Sequence, residues 1–164
     1  MGGLPKAGKT TVVDLIRPHV DVVVSPGYGV DAKSEELRRQ QYLAAWRKGV
    51  SKVTTFCAKN NDRILLFDST GSNIRQLTQW KIMCGCHNID ILYVMVHALK
   101  QQCVDRGSET SLVTSYVSRL QQCIPLFRKN LIVIKNIGSL EDLKEATKPL
   151  VRRLQEVGHQ NHTF

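Results

Sequence analysis

Residues Gly3–Thr10 read Gly-Leu-Pro-Lys-Ala-Gly-Lys-Thr, a full match to the phosphate-binding pattern G-x-x-x-x-G-K-[ST]. In such a loop, small residues let the chain curl so that successive backbone N–H groups point at the α- and β-phosphates of a nucleotide. Lys9 then reaches the β- and γ-phosphates, and the hydroxyl of Thr10 is placed to bind Mg²⁺. The stretch predicts binding of a nucleoside triphosphate; the alternative is a chance match in a glycine-rich N-terminus.

The apolar residues that follow the loop predict a helix that begins there. Val12, Val13, Leu15 and Ile16 have helical spacing, and the positive end of a helix dipole favours the same anion. The residues predicted to contact the nucleotide are Gly3, Leu4, Pro5, Lys6, Ala7, Gly8, Lys9, Thr10 and Thr11.

Length and composition indicate a single soluble domain. The chain has 164 residues, 42% of them hydrophobic and 23% charged. No run approaches the roughly 18 apolar residues of a membrane span. We also expect no signal peptide, because the N-terminus leads directly into the phosphate loop. We expect a cytoplasmic protein that does not bind membranes, with a domain over 1–158 and a frayed tail over 159–164.

The cysteines also favour a cytosolic protein, because an odd number of them predicts reduced thiols. Cys84-Gly-Cys86-His87 allows a zinc hypothesis, but a second ligand pair is missing nearby, so buried thiols are favoured. The five cysteines are Cys57, Cys84, Cys86, Cys103 and Cys123.

A net charge of +9 favours polyanionic partners, nucleic acid first among them. The alternative is a basic enzyme whose positive field attracts nucleotides. Five basic residues along a predicted helix over 34–59 either line a track for phosphates or form a solvated face. They are Arg38, Arg39, Arg47, Lys48 and Lys52.

Apolar runs alternate with amphipathic stretches, which predicts βα repeats and a parallel sheet. Strands are predicted over 21–25, 63–68, 90–96 and 131–135, and further helices over 73–84, 112–124 and 139–157, the last with a kink at Pro149.

Two aspartates follow predicted strands. Asp68 is expected to hold Mg²⁺ through water or to orient an acceptor. Its alternative role is to cap the helix that begins near Asn73. Ser72 would cap that helix equally well. Asp31 is the best candidate for a general base, with turn formation or helix capping as its alternative. Tyr28, in the same loop, stacks on an acceptor base or sugar, or is an ordinary loop residue.

Arg106 follows the strand over 90–96, where a lid would begin, with Gly107 as a hinge. An arginine there neutralises the charge of a γ-phosphoryl group in transfer. Lys100 is the weaker choice for this role, and a solvated charge pair is the alternative for Arg106.

In this order, the phosphate loop, Asp31, Asp68–Thr70 and Arg106 resemble the P-loop kinase superfamily, and within it the polynucleotide-kinase-like branch. Only the phosphate loop is a specific motif; the other three match in place and residue type. The Leu-Phe-Asp-Ser-Thr-Gly stretch at 66–71 and the compact size also resemble small phage kinases that phosphorylate 5-hydroxymethyluracil in DNA. The lid departs from that pattern, with one clear arginine instead of an arginine-rich run.

The resemblance implies an α/β P-loop NTPase-type three-layer sandwich with a mostly parallel sheet flanked by helices. It implies transfer of the γ-phosphate of ATP, with Mg²⁺, to a hydroxymethyl group in DNA, in the host cytoplasm if the protein is viral. The alternatives are a polynucleotide 5′-hydroxyl kinase, a small-molecule kinase and a non-catalytic nucleotide-binding switch. Lys9, Asp31 and Arg106 are the expected catalytic residues, and Thr10 and Asp68 the expected metal ligands.

One element of that fold is missing from the sequence pattern. A buried strand leads into the phosphate loop of such folds, but only Met1 and Gly2 precede Gly3. We expect the first strand to be absent from this chain. A truncated N-terminus is the favoured explanation, and another segment in the central position of the sheet is the alternative.

Overall fold

The computed structural model describes residues 1–25, 34–59 and 63–160. Short strands alternate with helices along these residues. The strands are β1 (Gly2–Gly3), β2 (Val22–Val24), β3 (Leu65–Phe67), β4 (Tyr93–His97) and β5 (Leu131–Lys135). The helices are α1 (Lys9–Ile16), α2 (Glu35–Lys59), α3 (Ile74–Cys86), α4 (Lys100–Asp105), α5 (Thr110–Cys123) and α6 (Leu140–Gln160), with 3₁₀ turns at Arg17–His19 and Ile124–Phe127.

The strands pair in parallel in two groups, β2 with β3 and β1 with β4 and β5. The nitrogen of Met1 joins the groups, because it donates a hydrogen bond to the carbonyl oxygen of Phe67 across 2.9 Å. The strands thus form a two-stranded sheet, β2-β3, and a three-stranded sheet, β1-β4-β5, which this hydrogen bond links. The predicted α/β architecture, a small mostly parallel sheet flanked by helices, is confirmed.

Two groups of buried side chains hold the helices against the strands. The larger core joins β3, β4 and β5 to α1, α4, α5 and α6, with Val96, Ile134 and Leu150 almost fully buried. The smaller core joins β2 and β3 to α2 and α3, where Trp46, Phe67 and Trp80 pack with ring centroids 5.0 to 5.7 Å apart.

The predicted strands and long helices all form, with shifts of a few residues at their ends. The expectation that the first strand is absent is wrong: Gly2 and Gly3 pair with Met95 and Val96, although this strand has only two residues. The short helix α4 was not predicted, and α6 continues through Pro149 to Gln160. In the described part of the chain, no helix is long and apolar enough to cross a membrane.

Candidate phosphate-binding site

The phosphate loop follows β1 directly and bends where glycine is required. Gly8 has a φ of 90°, and an added Cβ there would collide with the side-chain amide of Asn136. At Gly3, with a φ of 149°, a Cβ would lie 2.5 Å from the carbonyl oxygen of Val96. These two glycines allow the loop to pass close to the strand ends, which a chain with larger residues could not do.

Helix α1 begins at the end of this loop, and its N-terminus has no side-chain cap among the described residues. Its first intrahelical bond runs from the Val12 nitrogen to the Gly8 carbonyl oxygen. By contrast, the side chain of Asn73 caps α3, and Ser139 and Asp142 hydrogen-bond to each other at the start of α6. The amides of Lys9, Thr10 and Thr11 therefore lie at an end of a helix that favours an anion.

The ammonium of Lys9 folds back over the loop. Its Nζ donates to the carbonyl oxygens of Leu4 at 2.7 Å and Gly3 at 3.2 Å. Burial lowers the pKa of Lys9 below its ordinary value, and the nearby Asp68 carboxylate opposes this shift. A partly desolvated cation at the centre of the loop attracts an anion more strongly than a solvated one would.

Asp68 lies at the carboxyl end of β3, on the same side as the loop. Its backbone nitrogen donates to the carbonyl oxygen of Val24, and its Oδ2 accepts a hydrogen bond from the Ser25 hydroxyl at 3.3 Å. The capping alternative, for Asp68 or for Ser72, is wrong, because Asn73 Oδ1 accepts from the Gln76 nitrogen at the start of α3. The carboxylate is left to interact with Lys9 and with the Met1 ammonium.

Two distant side chains hold carbonyl groups of the loop in place. Asn136, which follows β5, donates from Nδ2 to the Ala7 carbonyl oxygen at 2.9 Å. Arg106, at the end of α4, donates from one guanidinium nitrogen to the Lys6 carbonyl oxygen at 3.3 Å. The structure thus brings Arg106 to the phosphate loop, and its role towards a phosphoryl group stays a prediction. Asn136 was missed; its position directly after a strand was the signal available.

The other predicted residues divide by location. Thr10 is exposed in the first turn of α1. Asp31 and Tyr28 lie outside the described residues. Helix α2 contains Arg38 and four further basic residues whose side chains are exposed, namely Arg39, Arg47, Lys48 and Lys52. Lys100 is exposed in α4.

The cysteines are free thiols, and all but Cys86 are buried. Burial, together with the neighbouring Cys57, raises the pKa of Cys84 to about 11. Among the residues that the structure describes, no group of three His, Cys, Asp or Glu side chains could hold a metal ion.

No protein-family model matches this chain, and no curated protein sequence matches it.

Proposed function

We propose that this chain is a P-loop kinase that transfers the γ-phosphate of ATP to a hydroxyl on nucleic acid. The observation that carries the proposal is the Gly3–Thr10 loop, which connects a strand to an uncapped helix and surrounds the Lys9 ammonium. A triphosphate is the ligand that matches this combination of backbone amides, a helix end and a partly buried lysine.

The loop is proposed to receive the phosphates in the backbone conformation described above. Gly3 and Gly8 place no Cβ in the loop, and Ala7 is fully buried beneath it. On binding, Lys9 exchanges the Leu4 and Gly3 carbonyl oxygens for phosphate oxygens, which carry full charges and make stronger hydrogen bonds. Arg106 approaches the same loop from α4 and supplies a second cation for the transferring group.

The hydroxyl of Thr10 and the carboxylate of Asp68 would hold Mg²⁺. Hard oxygen ligands suit this ion, which keeps several waters and binds through one or two carboxylates together with phosphate oxygens. Bound there, the ion would neutralise charge on the β- and γ-phosphates.

A hydroxyl on nucleic acid is the proposed acceptor, with the hydroxymethyl group of 5-hydroxymethyluracil in DNA as its most specific form. The net charge of +9 and the exposed basic side chains of α2 support a polyanionic substrate. A base in a duplex must leave the stack to reach the phosphate loop. Asp31 is proposed to accept the proton of the hydroxyl, and Asp68 is next in line for that role.

The test is transfer of labelled γ-phosphate from ATP to a panel of acceptors. The panel contains DNA with 5-hydroxymethyluracil, the same DNA with thymine, 5′-hydroxyl oligonucleotides and free nucleosides. We expect label on the modified base alone. Label on 5′ ends or on nucleosides would identify a different acceptor but would still show a kinase. No transfer to any acceptor would favour a non-catalytic nucleotide-binding switch.

Two variants establish whether transfer depends on the loop. Lys9→Ala is expected to abolish transfer while the folded structure remains. Lys129→Ala removes an exposed lysine outside the site and is expected to keep full activity. Activity retained in Lys9→Ala would overturn the proposed role of the loop.

A further inference from the structure

The connection between β3 and α3 carries Asp68, the carboxylate that is proposed to hold Mg²⁺. It spans residues 68–73. Its first residue is held by β2, since the Asp68 nitrogen donates to the Val24 carbonyl oxygen across 2.9 Å. Its last residue, Asn73, caps α3. The path of the chain between these two ends depends on the contacts of the residues in the middle.

The middle of the β3–α3 connection is held by a buried tyrosine from another strand. The hydroxyl of Tyr93, in β4, donates a hydrogen bond to the Gly71 carbonyl oxygen. Tyr93 is only 3% exposed, and its ring stacks on Phe127 with the ring centroids 5.0 Å apart. A buried tyrosine hydroxyl needs a hydrogen-bond partner, and here the partner is a backbone carbonyl group. The stacked ring therefore determines where Gly71 lies.

Two glycines make this contact possible. An added Cβ at Gly2 would collide with the Tyr93 hydroxyl, so β1 leaves free the space that the hydroxyl occupies. Gly71 has a φ of 56°, and an added Cβ there would lie 2.7 Å from the Gly2 Cα. The turn at Gly71, the bare backbone of Gly2 and the Tyr93 hydroxyl thus require one another.

The Tyr93 hydroxyl keeps its proton in the folded chain. Burial raises the pKa of this hydroxyl above its ordinary value, and the nearby Cys123 adds to the shift. A protonated hydroxyl is the donor that the Gly71 carbonyl oxygen requires.

Short hydrogen-bonded turns connect Gly71 to Asp68. The Gly71 nitrogen donates to the Ser69 hydroxyl oxygen at 3.2 Å, so Ser69 is held together with Gly71. Ser69 directly follows Asp68 in the chain. The carboxylate itself meets Ser25 of the neighbouring chain segment, whose Oγ donates to Asp68 Oδ2 at 3.3 Å. The position of the carboxylate therefore depends on both ends of this short series of contacts.

We propose that Tyr93 is a positioning residue for Mg²⁺ at Asp68, because its hydroxyl holds the β3–α3 connection that places the carboxylate. This inference rests on the proposed function. Mg²⁺ demands near-ideal octahedral geometry, so a displaced carboxylate binds it less well. Residues that orient a metal ligand typically contribute about 10- to 100-fold to metal affinity or activity.

The test compares Tyr93→Phe, which removes the hydroxyl and keeps the ring, with Ile16→Val. Ile16 is buried in the last turn of α1, at the end away from the phosphate loop, and its loss of one methyl group controls for reduced stability. Transfer of labelled γ-phosphate is measured over a series of Mg²⁺ concentrations, below the unfolding midpoint of each protein. The KM for ATP is measured at saturating Mg²⁺. Amide hydrogen exchange at Gly71 reports on the connection directly.

We expect Tyr93→Phe to raise the Mg²⁺ concentration for half-maximal transfer by about 10-fold and to speed exchange at Gly71. The KM for ATP at saturating Mg²⁺ should change little, since Lys9 and the loop amides remain. Ile16→Val should lower the midpoint of thermal unfolding and leave the Mg²⁺ requirement as it is in the unmodified protein.

An unchanged Mg²⁺ requirement in Tyr93→Phe would overturn the proposal, even with faster exchange at Gly71, because Tyr93 would then hold the connection without affecting the metal. An equal rise in both variants would overturn it too, since lost stability alone would explain the rise. An unmodified protein that transfers no phosphate to any acceptor would instead overturn the proposed function, and this inference with it.

Discussion

The side-chain amide of Asn136 donates a hydrogen bond to the carbonyl oxygen of Ala7 across 2.9 Å, and both residues are buried. This contact ties the end of β5 to the middle of the phosphate loop. It also explains why Gly8 tolerates no side chain, because the Asn136 amide occupies the space where a Cβ would stand. The conformation of the loop therefore depends on a residue far from it in sequence.

Asn136→Ala is expected to destabilise the protein by about 1 to 3 kcal/mol, since it leaves the buried Ala7 carbonyl without its partner. Nucleotide affinity should fall as well, because the loop loses a support. Urea unfolding and ATP titration measure the two effects. Gln79→Ala, at an exposed position of α3, is the control and should change neither. Unchanged stability in Asn136→Ala would mean that water replaces the amide.

Gly8→Ala is expected to cost about 1 to 2 kcal/mol from backbone strain alone, since Gly8 has a φ of 90°. The collision with Asn136 adds to this cost and should prevent ATP binding. Gly85→Ala is the matched control, because Gly85 lies exposed in α3 and a Cβ there meets no atom within 4 Å. That control should gain about 0.5 to 1 kcal/mol from helix propensity. Equal effects of the two substitutions on urea unfolding would contradict the described loop conformation.

The parts of this molecule that were predictable from sequence depend on local patterns. The phosphate loop is encoded by eight consecutive residues, and Asp68 was located because it ends an apolar run. The parts that were missed depend on contacts distant in sequence: Asn136 and Ala7 are 129 positions apart, and Met1 and Phe67 are 66 apart. No local pattern contains such pairs.

The first strand shows the same limit. Two glycines have low strand propensity, so Gly2 and Gly3 gave no strand signal. They pair because β4 presents an edge and because Gly3 must pass close to the Val96 carbonyl oxygen. Asp31, whose catalytic role the sequence predicted, lies outside the described residues and stays a prediction.

The buried ammonium of Met1 should make stability depend on pH. Burial lowers its pKa from 8.0 to about 6 in the folded chain, so the unfolded chain binds more protons between these values. Stability should therefore rise with pH across this window, by about 2 to 3 kcal/mol in total, and the full penalty should apply below pH 6. Urea unfolding between pH 5 and 9 measures it.

The control for this pH dependence is the same protein acetylated at Met1, which keeps an N–H donor and has no charge. Histidines titrate in both forms, so the difference between the two stability profiles isolates the ammonium. Parallel profiles would show that the ammonium is solvated in the folded chain.

Arg106→Ala is expected to lower kcat for phosphate transfer by about 100-fold or more, because one cation near the transferring group is lost. The KM for ATP should change little, since Lys9 and the loop amides remain. Stability should stay within about 0.5 kcal/mol, because Arg106 is exposed and makes one long hydrogen bond to Lys6.

Arg106→Lys tests whether the charge alone suffices or the guanidinium geometry is needed. Lys100→Ala tests whether the neighbouring lysine supplies the cation instead. The lysine variant keeps the charge but loses the planar fork of the guanidinium, so we expect partial recovery of kcat. Lys100→Ala removes the weaker candidate for the same role, and its kcat should match that of the unmodified protein. Full activity in Arg106→Ala together with a loss in Lys100→Ala would transfer the role to Lys100. Full activity in both variants would mean that Arg106 has no catalytic role and only contacts the Lys6 carbonyl oxygen.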